Sequence, residues 1–293
     1  SIPNGLGDWN NTFQVHKENV NTPGKIIKSE IPHGRPTGMR GLVMNTRKEI
    51  FSNWRVRQAL IEAFNFEYIN EAQNAGRQQR ITSYFSNSIL GMREGAAKNS
   101  VLELLQNSNQ IQLPGTYEGY KLPRSNGSER NRANMKKALK NFNNAGFKVV
   151  EGKLQDNQGR QFKFSILLRQ GAKEYLSIVE MYSSALQRLG IDVQIELVDS
   201  SQYWERIKKL EFDMAPYARD LSLSPGNEQH LYWSSEYADV EGTRNLMGLK
   251  SRTMDKLLDK HINKTKLLSF ASSIKNNSEN TDIFFITVGT PTR

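Results

Sequence analysis

The chain reads as an α/β domain whose helices cover a sheet. From Asn131 to about Ala215, stretches with a helical apolar period alternate with stretches of period two, joined by short connectors. Glycines stand just past two of the helical stretches, at Gly146 and Gly190, where a left-handed residue ends a helix at low cost. No repeat of fixed period runs through the chain, so a solenoid is not expected.

Residues 1 to about 36 are turn-rich, punctuated by Gly5, Gly7, Pro23, Gly24, Pro32, Gly34 and Pro36. Gly41 to Asn45 reads as a short buried strand, and Arg47 to Phe51 as the loop after it. Asn53 is placed to cap a helix in which Val56, Ala59, Leu60, Ala63 and Phe64 form one buried face, with Arg55, Arg57, Gln58 and Glu62 on the wet side. Between Gly91 and Gly127 only a helix around Val101 to Leu105 stands out from loop chemistry.

The alternation then sharpens. A helix is expected from about Arg132 to Ala145, burying Met135, Ala138, Leu139 and Phe142 and leaving Lys136, Lys137 and Lys140 in solvent. Phe147 to Val150 turns through Asp156, Asn157, Gln158 and Gly159 into a half-buried strand carrying Phe162, Phe164, Ile166 and Leu168. Tyr175, Ile178, Val179, Tyr182, Ala185, Leu186 and Leu189 form a helical stripe, and Ile191, Val193, Ile195 and Leu197 alternate as the next strand. Asp199 can cap a helix holding Tyr203, Ile207 and Leu210, and Phe212 to Ala215 is the strand after it.

With 293 residues, 37% of them hydrophobic, the chain can build one large or two modest cores. No apolar run approaches the length of a membrane span, and the N-terminus lacks the basic start and apolar stretch of a secretory signal. The absence of cysteine excludes disulfides, thiolate metal sites and thiol catalysis. The formal charge of +10 raises nucleic acid as a partner, but within the basic run from Lys121 to Lys140 the residues Lys136, Lys137 and Lys140 are the solvated side of a helix, and no recognised reader accompanies the charge.

Catalytic patterns are missing. His16, His33, His230 and His261 are scattered without metal-ligand spacing, and the chain has neither a GxSxG elbow nor a GxxxxGK loop. Carboxylates such as Glu228 and Asp239 form no pair that sequence can bring together. The informative segment is instead Tyr217 to Gln229, an irregular loop after a strand, where α/β domains present ligand contacts.

Three separated blocks carry a resemblance. Asn45-Thr46-Arg47 with Phe51, Arg55 to Leu60 and Phe66 to Asn70 is similar to the start of the second lobe in family 5 extracellular solute-binding proteins, the periplasmic peptide receptors of ABC importers. Gly127 to Leu139, and Phe212-Asp213-Met214 followed by Ser222 to Gln229, resemble the branch that imports microcin C and oligopeptides. The likeness runs from Asp8 to about Lys260.

The resemblance implies the second lobe of a type II, cluster C periplasmic binding protein: a mixed sheet covered by helices. Residues 1–36 are then a remnant of lobe one and the crossing, 37–263 are lobe two, and 264–293 are a divergent tail. It implies a monomer of the periplasm that binds an oligopeptide, hands it to an inner-membrane ABC permease and needs no cofactor. A truncated, decayed receptor or basic interaction module is the alternative, and an unrecognised hydrolase a third. Ligand contacts are expected from Asn45, Tyr217, Ala218, Arg219, Asp220, Ser222 and Asn227. Many relatives carry Trp where this chain has Arg219, and the wider family places an amine-binding Asp where it has Ser222, so Asp220 is the nearest substitute anion.

Overall fold

In a computed structural model the described residues run from 33 to 264, with 109 and 111 excepted and side chains followed to 259. The chain divides into two units, Ser1–Arg35 and Pro36–Arg293, and the fold described is that of the second. The segments expected before residue 33 and after 264 lie outside the described residues.

Strand β1 (Met39–Met44) is followed by α1 (Glu49–Ser52), α2 (Trp54–Ala63) and α3 (Phe66–Asn74). Where a loop was expected, α1 makes one helical turn, which drives Phe51 fully into the core. Asn53 caps α2 as expected, its side-chain oxygen accepting the Arg55 amide at 2.9 Å. Val56, Ala59, Leu60 and Ala63 are completely buried. Glu62, expected in solvent, is buried too, because α5 (Arg132–Asn144), reached after α4 (Asn99–Gln106), packs along α2; its Oε1 accepts the Gln58 amide at 3.1 Å.

After α5 the chain forms a hairpin of β2 (Lys148–Val150) and β3 (Lys153–Gln155), turning on Glu151 and Gly152 at positive φ. Then follow β4 (Lys163–Arg169), α6 (Lys173–Gln187), β5 (Asp192–Val198), α7 (Ser200–Lys208) and β6 (Met214–Arg219). A short helix, α8 (Glu228–Trp233), and a longer one, α9 (Arg252–Lys264), complete the unit. Gly190, between α6 and β5, has φ +83° and lies against the hairpin so closely that a Cβ would meet the Leu154 amide at 2.6 Å.

The main sheet has the order β1-β6-β4-β5, with β1 antiparallel to β6 and the other pairs parallel. Its two faces are both covered. Phe164, Ile166 and Leu168 of β4 pack into the core shared with α2, α5 and α6, while Leu167 joins Val43, Ala215 and Tyr217 under Tyr203 and Ile207 of α7. Edge-to-face contacts link Phe51 to Phe164 at 5.4 Å, Phe164 to Phe162 at 6.0 Å and Phe162 to Phe142 at 5.5 Å, a row of rings through the first core.

Two substitutions separate packing from hydrogen bonding. Phe142→Ala is expected to cost about 3–5 kcal/mol, the range for deleting a buried aromatic. Tyr182→Phe should cost about 1–3 kcal/mol, because the Tyr182 hydroxyl donates to Leu60 O at 2.9 Å and the Phe64 amide turns back to Ile61 instead. Urea unfolding of the three proteins measures both; equal costs would contradict this division.

Candidate functional site

The parallel strands β4, β5 and β6 all end on one side of the sheet, where open α/β sheets bind ligands. A pocket of about 510 Å³ lies there, bounded by Arg169 at the end of β4, Tyr175 of α6, Trp204 of α7 and Ala218 of β6, with Tyr232 and Arg244 opposite. A larger cleft of about 670 Å³ is lined by residues Arg124 to Ala133 of one loop and its adjoining helix start, and no strand end reaches it.

The pocket exists because β6 and β4 part company. β4 is paired with β5 along its whole length but with β6 only at Ile166 and Met214, whereas β1 follows β6 to Arg219. β6 is also longer than expected from sequence: Tyr217, Ala218 and Arg219 belong to the strand and not to the loop, held by that pairing and by the burial of Tyr217 in the second core. Gly38 permits the pairing to run so far, since a Cβ there would lie 2.2 Å from the Arg219 carbonyl oxygen.

Alternation decides where the backbone groups of β6 point. The Asn45 amide donates to Asp213 O at 2.9 Å, which makes that opposed pair a hydrogen-bonded one. Stepping by two, Ala215, Tyr217 and Arg219 turn their amides and carbonyls to β1, while Pro216 and Ala218 turn theirs away. Pro216, which has no N–H, sits in the register that needs none from the β1 ladder. Ala218 is exposed, borders the pocket and presents both polar groups on the side where β4 has diverged.

The expected site residues separate into two places. Tyr217 through Asn227 gather at the pocket end of β6, and Asn45 lies at the other end, roughly five residues or 17 Å along the strand. Asn45 is fully buried, its Nδ2 donating to Leu210 O at 3.1 Å and Phe212 O at 2.9 Å and its Oδ1 accepting from Arg47 Nη1 at 2.8 Å. Asp220 is exposed and paired with Arg40 at 3.0 Å. Ser222 is exposed, its hydroxyl accepting the Ser224 amide at 3.2 Å, and exposed Asn227 precedes α8.

Arg219 is the unusual member. It is 5% exposed, its Cζ lies 3.3 Å from the centre of the Tyr232 ring, and Nη2 donates to Gln229 Oε1 at 2.9 Å. Gln229 in turn donates to Glu228, whose carboxylate accepts the Gly226 amide, so the loop closes back onto the buried guanidinium. Burial pushes the Glu228 carboxyl up, but the Gly226 amide, the Gln229 amide and the Arg219 charge together hold it below its ordinary value. Burial likewise raises the Tyr217 phenol, against the pull of the Arg219 charge. By geometry the Tyr217 hydroxyl and the Arg219 Nε and Nη1 are buried and make no hydrogen bond among the described residues.

Arg169, Tyr175, Trp204, Tyr232 and Arg244 were not among the residues expected at the site. Arg169 had a signal, as the residue ending an alternating strand, whereas Arg244 lies in an irregular segment whose placement depends on Arg47. The Arg47 guanidinium donates to Leu246 O at 3.0 Å, Asn245 O at 2.8 Å and Ala238 O.

Residues 7–239 match the family model described as bacterial extracellular solute-binding proteins, family 5, middle. The chain is 31% identical over 276 residues to YepA of Agrobacterium fabrum, named a peptidoglycan-binding protein, covering 93% of this chain and 44% of that one. It is 33% identical over 243 residues to YejA of the same organism, whose name marks it as peptide-binding, covering 82% and 39%. The oligopeptide-binding protein AppA of Bacillus subtilis, solved with a nonapeptide, superposes with a TM-score of 0.55 at 22% identity, over 75% of this chain and 37% of that one. The chain spans about two fifths of the length of the curated relatives it matches.

Arg219→Met tests how the buried cation is balanced. Two unsatisfied donors cost about 1–3 kcal/mol each, while ring stacking and a charged hydrogen bond return about as much. The substitution should therefore change unfolding stability by less than about 1.5 kcal/mol. A loss above about 3 kcal/mol in urea unfolding would contradict that balance.

Proposed function

Because the chain belongs to the bacterial extracellular solute-binding proteins of family 5, we propose that it forms one wall of a peptide-binding cleft in the substrate receptor of an ABC importer. In this reading the periplasm is its compartment, an inner-membrane permease its partner, and the residues from 37 to 263 the second lobe. The observation that carries it is the free side of β6: a peptide laid in the pocket can pair with the amide and carbonyl of Ala218 as an added strand. Backbone pairing does not depend on the ligand's side chains, which suits a receptor for many sequences.

The relatives named for peptide and peptidoglycan binding support this ligand class. Tyr217, Arg219 and Asn45 serve the reading differently from Ala218. Their side chains are buried, so they shape and hold the strand, while Asp220, Ser222 and Asn227 are exposed on the loop that follows it and do not line the pocket. Aromatic walls from Tyr175, Tyr203 and Trp204 provide apolar surface for ligand side chains. A receptor of this kind closes its other lobe over the guest, so this wall alone should bind weakly.

Titration of the chain with tetra-alanine, followed by NMR shifts, should saturate with a Kd near or below about 1 mM. Ala218→Pro removes the N–H that faces the pocket and none that serves β1, so it should weaken binding about tenfold with an unchanged circular dichroism spectrum. Equal affinity in the variant would contradict the backbone-pairing reading.

A further inference from the structure

The pocket is unbalanced in charge. Arg244 is exposed at its edge, donating from Nη1 to the Tyr232 hydroxyl at 3.4 Å with its Cζ 5.5 Å from the centre of that ring. The same ring carries Arg219 at 3.3 Å, so one tyrosine holds two guanidinium groups. Also lining the pocket, Arg169 donates to the Ser200 hydroxyl at 3.4 Å. Among the described residues no carboxylate forms a salt bridge with any of the three. Asp220 pairs with Arg40 at 3.0 Å, and Glu228, which feels the Arg219 charge, is held by the Gly226 and Gln229 amides.

Arg169 and Arg244, which form no ion pair among the described residues, border a pocket with aromatic walls, where a guanidinium attracts an anion more strongly than in open water. Cation–ring stacking on Tyr232 orients Arg244 without using up its charge, leaving N–H groups able to grip a planar, two-oxygen acceptor. We propose that this pocket selects peptides carrying a carboxylate and seats that carboxylate on Arg244 beside Tyr232. The proposal rests on the peptide-receptor reading and adds the ligand's charge to it. The carboxylate can come from an acidic side chain or from the peptide's own end.

Three peptides of equal length distinguish these sources: acetyl-Ala-Glu-Ala-amide, acetyl-Ala-Gln-Ala-amide and acetyl-Ala-Gln-Ala with a free carboxyl terminus. In NMR titrations of the whole chain at low salt, at least one carboxylate-bearing peptide should bind about tenfold more tightly than the neutral one. The peptide that gains identifies the source. Added salt should shrink the gain, Arg244→Gln should abolish it, and Arg244→Lys should retain part of it. Arg244 is exposed, so these variants should keep the parent's circular dichroism spectrum.

Equal affinities for the three peptides would overturn the charge assignment and leave the peptide-receptor reading standing. A carboxylate gain that survives Arg244→Gln would overturn the role given to Arg244. Silence with all three, and with tetra-alanine, would overturn both readings together.

Discussion

The antiparallel pairing of β1 with β6 is the contact on which this structure depends. It joins Met39–Met44 to residues about 175 positions later, and so makes the opening strand of the unit part of the sheet that its later half builds. Closing so long a loop is entropically costly. The cost is offset by strand hydrogen bonds and by burial of Val43 with Ala215 and Tyr217. The pairing also occupies one side of β6 to its last residue, so that only the other side is open where β4 swings away.

Polar anchors finish what the strands begin. Asn45 ties the end of β1 to the turn ahead of β6, and Asp213 accepts the Ser165 amide at 3.0 Å, linking that same turn to β4. These bonds fix register in a sheet whose strands come from distant parts of the chain. A one-residue slip would turn Val43 out of the second core and Leu42 and Met44 away from the first.

Periodicity made most of the core legible. The stripes on α2, α5 and α6 and the alternation in β4 and β5 required no knowledge of the partners, because each element's own pattern says which side must be dry. Glu62 misled for the opposite reason: its burial is decided by α5, a helix more than sixty residues away. The run from Phe147 to Val150 was legible and forms β2, but its partner β3 was missed because three residues carry too little pattern. The end of β6 was misplaced because Pro216 looks like a strand terminator, and only the alternation of hydrogen-bonding sides shows why it is tolerated. The region from 217 to 229 was legible as unusual. Arg244 and Tyr232 were not, since irregular segments acquire their positions from contacts and not from local grammar.

Arg47 shows how such a segment acquires its position. Its planar fork is spent on main-chain oxygens of Ala238, Asn245 and Leu246, with Asn45 Oδ1 completing the set. Burial lowers its pKa, yet a guanidinium does not lose its proton in a folded protein. The rim of the pocket therefore hangs from a hinge pin whose hydrogen bonds run to uncharged oxygens. Those bonds keep the stretch bearing Arg244 clamped to the far end of the sheet.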